Sequence, residues 1–256
     1  ETKQLTSFSE FDCKFASLGN TAIVFENGGF IYRLDLATGK AEKVPIMIED
    51  DHAGSRGGII KVSDNITNYE ISPDGKRALF GARGDVFTVP VKNGATRNLT
   101  NTPGVHERNS KWSPNGKWIA YISDAPGEGE IYIQPQDGSA VGTQITKGED
   151  TYKYQIDWSP DSKKILWADK KLRLRYVDVD SKSITDVAKA EAFEFTDYAW
   201  SPDSKWITYA KPEVEMMNKI YLYSLDKDKT VEVSDGWYAS SNPAFSSDGK
   251  YLFFQS

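Results

Sequence analysis

The sequence of 256 residues contains few of the residues that most often perform chemistry. It has one cysteine and two histidines. The single cysteine, Cys13, excludes an internal disulfide, and no spacing of Cys and His resembles a zinc site. Because Cys13 stands between Phe11 and Phe15 on an apparent strand, we expect its thiol to be a small buried group.

Long hydrophobic runs and a concentrated basic surface are also missing. No apolar stretch approaches the about 18 residues of a membrane span, and the N-terminal ETKQLTSFSEFD lacks the basic start and apolar core of a signal peptide. The formal net charge is −6, with acidic and basic residues interspersed. We therefore expect neither a membrane span nor nucleic-acid binding. Because the first residue is not Met, we interpret the chain as a mature form or an excised fragment, and the compartment stays open.

Catalytic motifs are missing as well. The sequence has no G-x-S-x-G and no H-E-x-x-H, and His106 would need a nucleophile that sequence does not identify. EDDH at Glu49–His52 is interpreted as a solvated acidic loop rather than a metal site. GSRGG at Gly54–Gly58 is interpreted as a flexible insertion, because no phosphate-loop Lys-Ser/Thr and no helix follow it. We expect no catalytic residue, metal or cofactor in this chain.

What the sequence does contain is a repeat. KWSPNGKWIAYIS at Lys111–Ser123 returns as ISPDGKRALF, WSPDSKKILW, WSPDSKWITY and FSSDGKYLFF, with a degenerate copy, FASLGNTAIVF, at Phe15–Phe25. The equivalent serines at positions 72, 113, 159, 201 and 246 are 41, 46, 42 and 45 residues apart. Periods of about 40–50 residues made of short strands are typical of a β-propeller with four strands per blade.

Each repeat divides into four predicted strands, and the Ser-Pro-Asp-Gly-Lys segment forms the tight turn between the first two. Two copies carry Ser162 and Ser204 at the Gly position, which predicts a strained or a differently wound turn there. Five complete blades are predicted, with Thr2–Thr6 as a lone fourth strand and Phe245–Ser256 as two strands of a last blade. If these part-blades join, the ring has six blades; otherwise the chain is a piece of a seven-bladed ring. Either way, residues 1–256 are predicted to form one all-β domain.

Recurrent aromatic residues are predicted to form the core between successive blades. We expect Trp112, Trp158 and Trp200 to be buried there. Residues just before each first strand are predicted to line the rim of a central channel, where polar and aromatic side chains suit a passing peptide. Ordinary solvated loops are the alternative interpretation. These rim positions are Asn68 and Tyr69, Arg108 and Asn109, Tyr152 and Lys153, Asp197 and Tyr198, and residues 240–242.

One segment carries a family resemblance. Residues Ile71–Asp124, and above all GARGDVFTVPVKNGATRNLTNTPGVHERNSKWSP at Gly81–Pro114, resemble the second β-propeller of tricorn-type proteases, and the likeness runs over nearly the whole chain. The Ser-Pro-Asp-Gly-Lys unit alone is not specific, because TolB and the propellers of prolyl-oligopeptidase-like enzymes share it. The resemblance implies a seven-bladed, non-catalytic propeller that filters unfolded peptides and channels them to an active site elsewhere.

The resemblance also implies a larger parent protein. Tricorn-like enzymes are serine peptidases with two propellers, a PDZ-like domain and a catalytic region, and they assemble into toroidal homo-oligomers in the cytoplasm. The rim of the family's propeller uses basic residues, for which Arg83 and Arg108 are the candidates here. The full set of channel and rim candidates is Arg83, Arg108, Tyr69, Tyr152 and Tyr198.

Two other functions stay open. A TolB-like propeller would be a periplasmic scaffold that binds a partner protein. A propeller cap of a prolyl-oligopeptidase-type hydrolase would precede an α/β-hydrolase region with a G-x-S-x-G motif. A signal peptide upstream would likewise make a bacterial tricorn-like protein periplasmic.

Overall fold

The computed structural model describes residues 2–49, 60–148, 150–213 and 217–256. The chain divides into two compact units, residues 1–59 and residues 60–256. Most of the acidic EDDH segment, including His52, and the whole GSRGG segment lie outside the described residues.

The first unit contains one four-stranded antiparallel sheet in which each strand pairs with the next along the chain. Its strands are β1 (Cys13–Leu18), β2 (Ala22–Asn27), β3 (Phe30–Asp35) and β4 (Ala41–Lys43). The predicted lone fourth strand at Thr2–Thr6 is wrong. No described strand pairs with these five residues, and a strand exists only through the backbone hydrogen bonds of such a pairing.

The second unit repeats the same meander four times and ends in a two-stranded sheet. A 3₁₀ turn at Ser63–Asn65 precedes its first strand. The four-stranded sheets are β5 (Ile66–Ile71) to β8 (Arg97–Asn98) with β6 (Arg77–Ala82) and β7 (Asp85–Pro90) between them; β9 (Glu107–Trp112), β10 (Trp118–Ser123), β11 (Glu130–Pro135) and β12 (Thr143–Gln144); β13 (Lys153–Trp158), β14 (Lys164–Asp169), β15 (Arg173–Asp178) and β16 (Ile184–Lys189); and β17 (Tyr198–Trp200), β18 (Trp206–Pro212), β19 (Asn218–Ser224) and β20 (Lys229–Glu232).

The last sheet consists of β21 (Ser241–Phe245) and β22 (Leu252–Gln255). The predicted all-β architecture of repeated four-stranded blades is therefore confirmed, as is the two-stranded part-blade at Phe245–Ser256. The six- or seven-bladed closure of a ring stays a prediction.

The Ser-Pro-Asp-Gly-Lys turn satisfies its own polar groups, and this explains why it recurs. In the turn before β18, Ser201 Oγ donates to Asp203 Oδ1 at 2.6 Å and accepts from the Trp206 amide at 2.9 Å. Asp203 Oδ1 also accepts from the Lys205 amide at 3.1 Å. The hydrogen bond from Ser201 holds the pKa of the Asp203 carboxyl below its usual range. The motif is an architectural turn rather than a reaction centre.

Ser162 and Ser204 adopt the same turn as the glycines they replace, so the strained alternative of the prediction is the correct one. Their φ angles are 61° and 60°, against 71° at Gly116. A non-glycine residue in this left-handed region costs roughly 1 kcal/mol. Each hydroxyl offsets this cost by accepting a backbone N–H from the neighbouring blade's turn, Ser162 from Asn115 and Ser204 from Asp161, both at 3.0 Å.

The recurrent tryptophans lie between successive sheets, as predicted. Trp112, Trp158 and Trp200 are all buried. Trp158 packs in a cluster that combines Ile131 and Ile133 of β11 with Ile165 and Trp167 of β14. Its indole N–H donates to the Lys111 carbonyl of β9 at 3.3 Å. The core of the second unit is thus a row of inter-blade layers.

The prediction that Cys13 is buried is wrong. Cys13 is exposed, because every residue of β1 is exposed in the described structure, including Phe15. Within the described residues, no helix is long and apolar enough to cross a membrane.

Candidate functional site

The first strands of successive sheets in the second unit are neighbours, and we call β5, β9, β13, β17 and β21 the inner strands. Side chains near their starts bond to the backbone of the adjacent inner strand. Asn68 on β5 donates from Nδ2 to the Ser110 carbonyl at 3.0 Å. Asn109 on β9 donates from Nδ2 to the Tyr154 carbonyl at 2.8 Å. Several predicted rim residues therefore join blades as well as facing solvent.

A β-bulge lies near the start of four of these inner strands and of β1. In β9, Asn109 and Ser110 stand opposite the single residue Tyr121. Asn109 has φ of 53°, and Asn242 in the bulge of β21 has φ of 51°. Asparagine tolerates this left-handed conformation better than most residues. Bulges redirect side chains. In the first half of an inner strand, the side chains therefore do not follow the alternating directions of a regular strand.

Arg108 and Tyr152 are in direct contact. The guanidinium carbon of Arg108 lies 3.9 Å from the centroid of the Tyr152 ring, and Arg108 Nη1 donates to the Lys153 carbonyl at 2.7 Å. Burial lowers the pKa of the Arg108 guanidinium, which still remains charged at neutral pH. Two predicted rim residues thus form one cation–π pair between β9 and the residue that precedes β13.

A cleft of about 490 Å³ opens beside this pair, and we call it the tyrosine cleft. Its lining comes from β13, from the connection before β17 and from the first residue of β17, namely Tyr154, Gln155, Glu194, Phe195, Thr196 and Tyr198. Its volume falls in the range typical of ligand sites. The cleft combines aromatic rings with one carboxylate.

Internal hydrogen bonds hold the walls of the tyrosine cleft. The Tyr154 hydroxyl donates to Glu194 Oε1 at 3.1 Å, and the Tyr198 hydroxyl donates to the Gln155 carbonyl at 2.9 Å. Tyr152 and Tyr154 meet edge to face with ring centroids 5.5 Å apart. Burial raises the pKa of both Tyr154 and Tyr198, so both phenols are neutral at physiological pH.

The remaining two rim candidates lie apart from this group. Tyr69 on β5 is 77% exposed, and Arg83 is exposed in the two-residue turn between β6 and β7. Arg83 and Gly84 both have positive φ, which is the type I′ hairpin pattern. The structure therefore brings together Arg108, Tyr152 and, through Tyr154, Tyr198, but it does not bring Tyr69 or Arg83 to them.

A charged row crosses the far ends of three inner strands. Glu70, Lys111 and Asp157 each precede the last residue of β5, β9 and β13. Lys111 Nζ lies 4.0 Å from Glu70 Oε1, and Glu70 Oε2 accepts from the Trp112 amide at 2.6 Å. Burial raises the pKa of Asp157 to about 6, although the charge of Lys111 acts in the opposite direction.

One rim candidate has a structural role instead. Lys153 is fully buried, and its Nζ donates to the Gly129 carbonyl at 2.6 Å and to Glu130 Oε2 at 3.2 Å. Glu130 also accepts from the Thr146 hydroxyl at 2.5 Å. A buried ion pair of this kind joins two blades and is inaccessible to a ligand.

No three His, Cys, Asp or Glu side chains in the described ranges lie close enough to hold a metal ion. His106, the histidine within those ranges, lies next to the Arg83–Gly84 turn, and its amide donates to Asp124 Oδ1 at 2.8 Å.

Sequence reasoning named one of the six residues that line the tyrosine cleft, Tyr198, and missed the other five, which are Tyr154, Gln155, Glu194, Phe195 and Thr196. Tyr154 follows the predicted rim pair Tyr152 and Lys153 by one position, and Glu194 belongs to the connection EAFEF before β17. The aromatic residues of that connection were an available signal, since such side chains in a loop often serve binding.

A sequence profile described as the tricorn protease second beta propeller domain matches residues 66–256. The chain is 27% identical over 256 residues to a tricorn protease homolog of Saccharolobus solfataricus, an alignment that covers 99% of this chain and 23% of that protein. The chain spans about a quarter of the length of the curated relatives it matches.

Two solved structures share the fold. The crystal structure of the tricorn protease superimposes with a TM-score of 0.71 at 20% identity, covering 98% of this chain and 24% of that one. A TolB structure from Agrobacterium tumefaciens gives a TM-score of 0.52 at 19% identity, covering 97% of this chain and 92% of that one. At these identities the likeness concerns the fold alone, whereas the profile match spans most of the sequence. The chain therefore belongs to the family of the second β-propeller domain of tricorn protease.

Proposed function

We propose that residues 1–256 form a single, non-catalytic propeller domain of a larger tricorn-like serine protease, and that this domain filters unfolded peptides and channels them to a catalytic region outside this chain. The observation that carries the proposal is the profile match over residues 66–256, together with the exposed Tyr69 and the half-buried Arg108 on the inner strands. Extended peptides offer backbone groups and side chains that such surfaces contact.

The proposal extends to the parent protein. Its other regions are a PDZ-like domain and a catalytic peptidase region on the same polypeptide, and the parent assembles as a homo-oligomer in the cytoplasm. The family membership supports this organisation, and so does the share of the curated relatives that the chain spans. Arg83, Arg108, Tyr69, Tyr152 and Tyr198 are proposed to contact the passing peptide.

A serine-reactive phosphonate tests where the chemistry lies. The parent protein is expected to be labelled at one serine, and the 256-residue chain is expected to remain unlabelled. Labelling of the 256-residue chain would contradict the non-catalytic assignment.

Photo-crosslinking tests the channelling role. Replacement of Tyr69, which is 77% exposed on an inner strand, by benzoylphenylalanine is expected to crosslink an unfolded casein-derived peptide. The matched control is the same replacement at Val231, which is 58% exposed on the fourth strand β20. Equal crosslinking at the two positions, or none at Tyr69, would contradict a peptide path along the inner strands.

A further inference from the structure

The tyrosine cleft contains a carboxylate without a cationic partner. Glu194 is exposed and accepts one hydrogen bond, from Tyr154, and among the described residues it makes no ion pair. Phe195 and Tyr198 line the same cleft. One acidic oxygen thus faces a cleft whose remaining walls are mainly ring faces and edges.

The walls of the cleft are held in place before any guest arrives. Tyr198 is bonded to the Gln155 carbonyl, and Phe195 packs edge to face on Tyr209 with ring centroids 5.7 Å apart. A preorganised site loses little side-chain entropy on binding. A ligand that makes only a few contacts can therefore bind to it.

Basic side chains on β9 and on the hairpin that joins β14 to β15 have partners of their own. Arg108 lies on the Tyr152 ring and bonds the Lys153 carbonyl. Arg173 Nη2 lies 2.8 Å from Asp169, and Lys171 is paired with Asp150. Glu194 is the carboxylate that lines the cleft, so the complementary guest carries positive charge.

We infer that the tyrosine cleft binds the cationic side chain of a lysine or arginine in a peptide. The aliphatic stem of the guest contacts Phe195 and Tyr198, and its charged end meets Glu194 and the face of Tyr154. Neutral tyrosine rings attract cations through their π faces, and long cationic side chains have apolar stems that suit such walls. The inference deepens the proposed function by naming the side-chain class that one point of the peptide path selects.

Short labelled peptides test the inference directly with the 256-residue chain. The probes are acetyl-Gly-Gly-Xaa-Gly-Gly-amide with Xaa as lysine, norleucine or glutamate, and fluorescence anisotropy measures their binding at low salt. The lysine peptide is expected to bind about 10-fold more tightly than the norleucine peptide, whose side chain has a similar stem without the charge. Added salt is expected to reduce this preference, because exposed charges are screened.

Charge variants at the cleft make the test specific. Glu194→Gln is expected to reduce the preference for lysine to about 2-fold, and Glu194→Lys is expected to favour the glutamate peptide instead. The matched controls are Glu191→Gln and Glu191→Lys, because Glu191 is exposed on the same connection but does not line the cleft. These controls are expected to keep the preference of the unmodified chain.

The outcomes separate this inference from the proposed function. If all three peptides bind equally, or if the Glu191 variants change the preference as the Glu194 variants do, the inference is wrong while peptide channelling stands. If no peptide binds and Tyr69 yields no crosslink, both are wrong. A lysine preference without crosslinking at Tyr69 would support the cleft and contradict the path along the inner strands.

Discussion

At the scale of single residues, burial decides which charges matter for stability. Three turn aspartates, Asp74, Asp203 and Asp248, have lowered pKa values because each accepts a hydrogen bond from its turn serine. Asp157 differs, because burial on β13 outweighs the attraction of Lys111 and raises its pKa to about 6. The pKa values of Asp157 and Asp203, which belong to successive blades, are therefore shifted in opposite directions from the ordinary value.

The substitution Asp157→Asn is expected to stabilise the protein above pH 6. The folded state holds the Asp157 proton more tightly than the unfolded state, so the free energy of unfolding falls as pH rises from about 4 to 6. The asparagine removes this loss and is expected to raise the free energy of unfolding at pH 7 by about 1–3 kcal/mol. Urea unfolding between pH 4 and 8 measures the effect.

The control for this prediction is Asp203→Asn. The lowered pKa of Asp203 stabilises the folded state above about pH 4, and that stabilisation disappears as pH falls further. The control is therefore expected to lower the free energy of unfolding at pH 7. If Asp157→Asn destabilises the protein and the free energy of unfolding depends on pH as in the unmodified chain, the Asp157 charge is well solvated or well paired.

At the scale of secondary-structure elements, each blade is a hairpin meander that completes its core only against its neighbours. Trp112 packs with Leu79 and Val86 of the preceding sheet, and Trp200 packs with Leu166 and Leu174. The Ser162 hydroxyl accepts from the Asn115 amide and the Ser204 hydroxyl accepts from the Asp161 amide, which adds a polar contact to two of the three apolar layers. A blade in isolation would expose both faces.

The substitution Trp158→Ala tests the inter-blade layer. Trp158 is 5% exposed, whereas Trp237, in the connection before β21, is 80% exposed. Removing a buried indole leaves a cavity and is expected to lower the free energy of unfolding by about 3–5 kcal/mol. Trp237→Ala is expected to change it by less than about 0.5 kcal/mol. Chemical denaturation of both variants measures the difference, and similar values would contradict the inter-blade role of Trp158.

At the scale of the whole molecule, the described hydrophobic core clusters all lie in the second unit. They extend over β6 to β19 and form three successive layers between sheets. The first unit contributes its own smaller group, in which Phe8, Phe25 and Tyr32 are in ring contact. Repetitive folds of this kind derive stability from neighbouring repeats rather than from one central core.

A fragment of residues 60–256 is therefore expected to fold without the first unit. Its circular dichroism is expected to show β-structure, and its urea unfolding is expected to be cooperative, because it retains all three core clusters. Non-cooperative unfolding of the fragment, while the 256-residue chain unfolds cooperatively, would show that the second unit depends on the first.

The features that repeat could be predicted from the pattern of residues alone. The repeat placed a tight turn between the first two strands of each blade, as the structure shows between β9 and β10, and it identified Trp112, Trp158 and Trp200 as core. These features could be predicted because they depend on contacts within one hairpin, or because the same residue types recur in several copies of the repeat. The lone strand predicted at Thr2–Thr6 had no such support, and it is not present.

Only the tertiary structure decided which side chains meet between blades. Arg108 reaches the Lys153 carbonyl across 45 positions in the sequence, Ser162 bonds Asn115 across 47, and Tyr154 meets Glu194 across 40. Such partners depend on the twist of each sheet, the bulges in the inner strands and the path of each connection. These quantities vary from blade to blade while the repeat stays the same. The repeat therefore predicts the architecture, whereas the tyrosine cleft depends on how two unlike blades pack together.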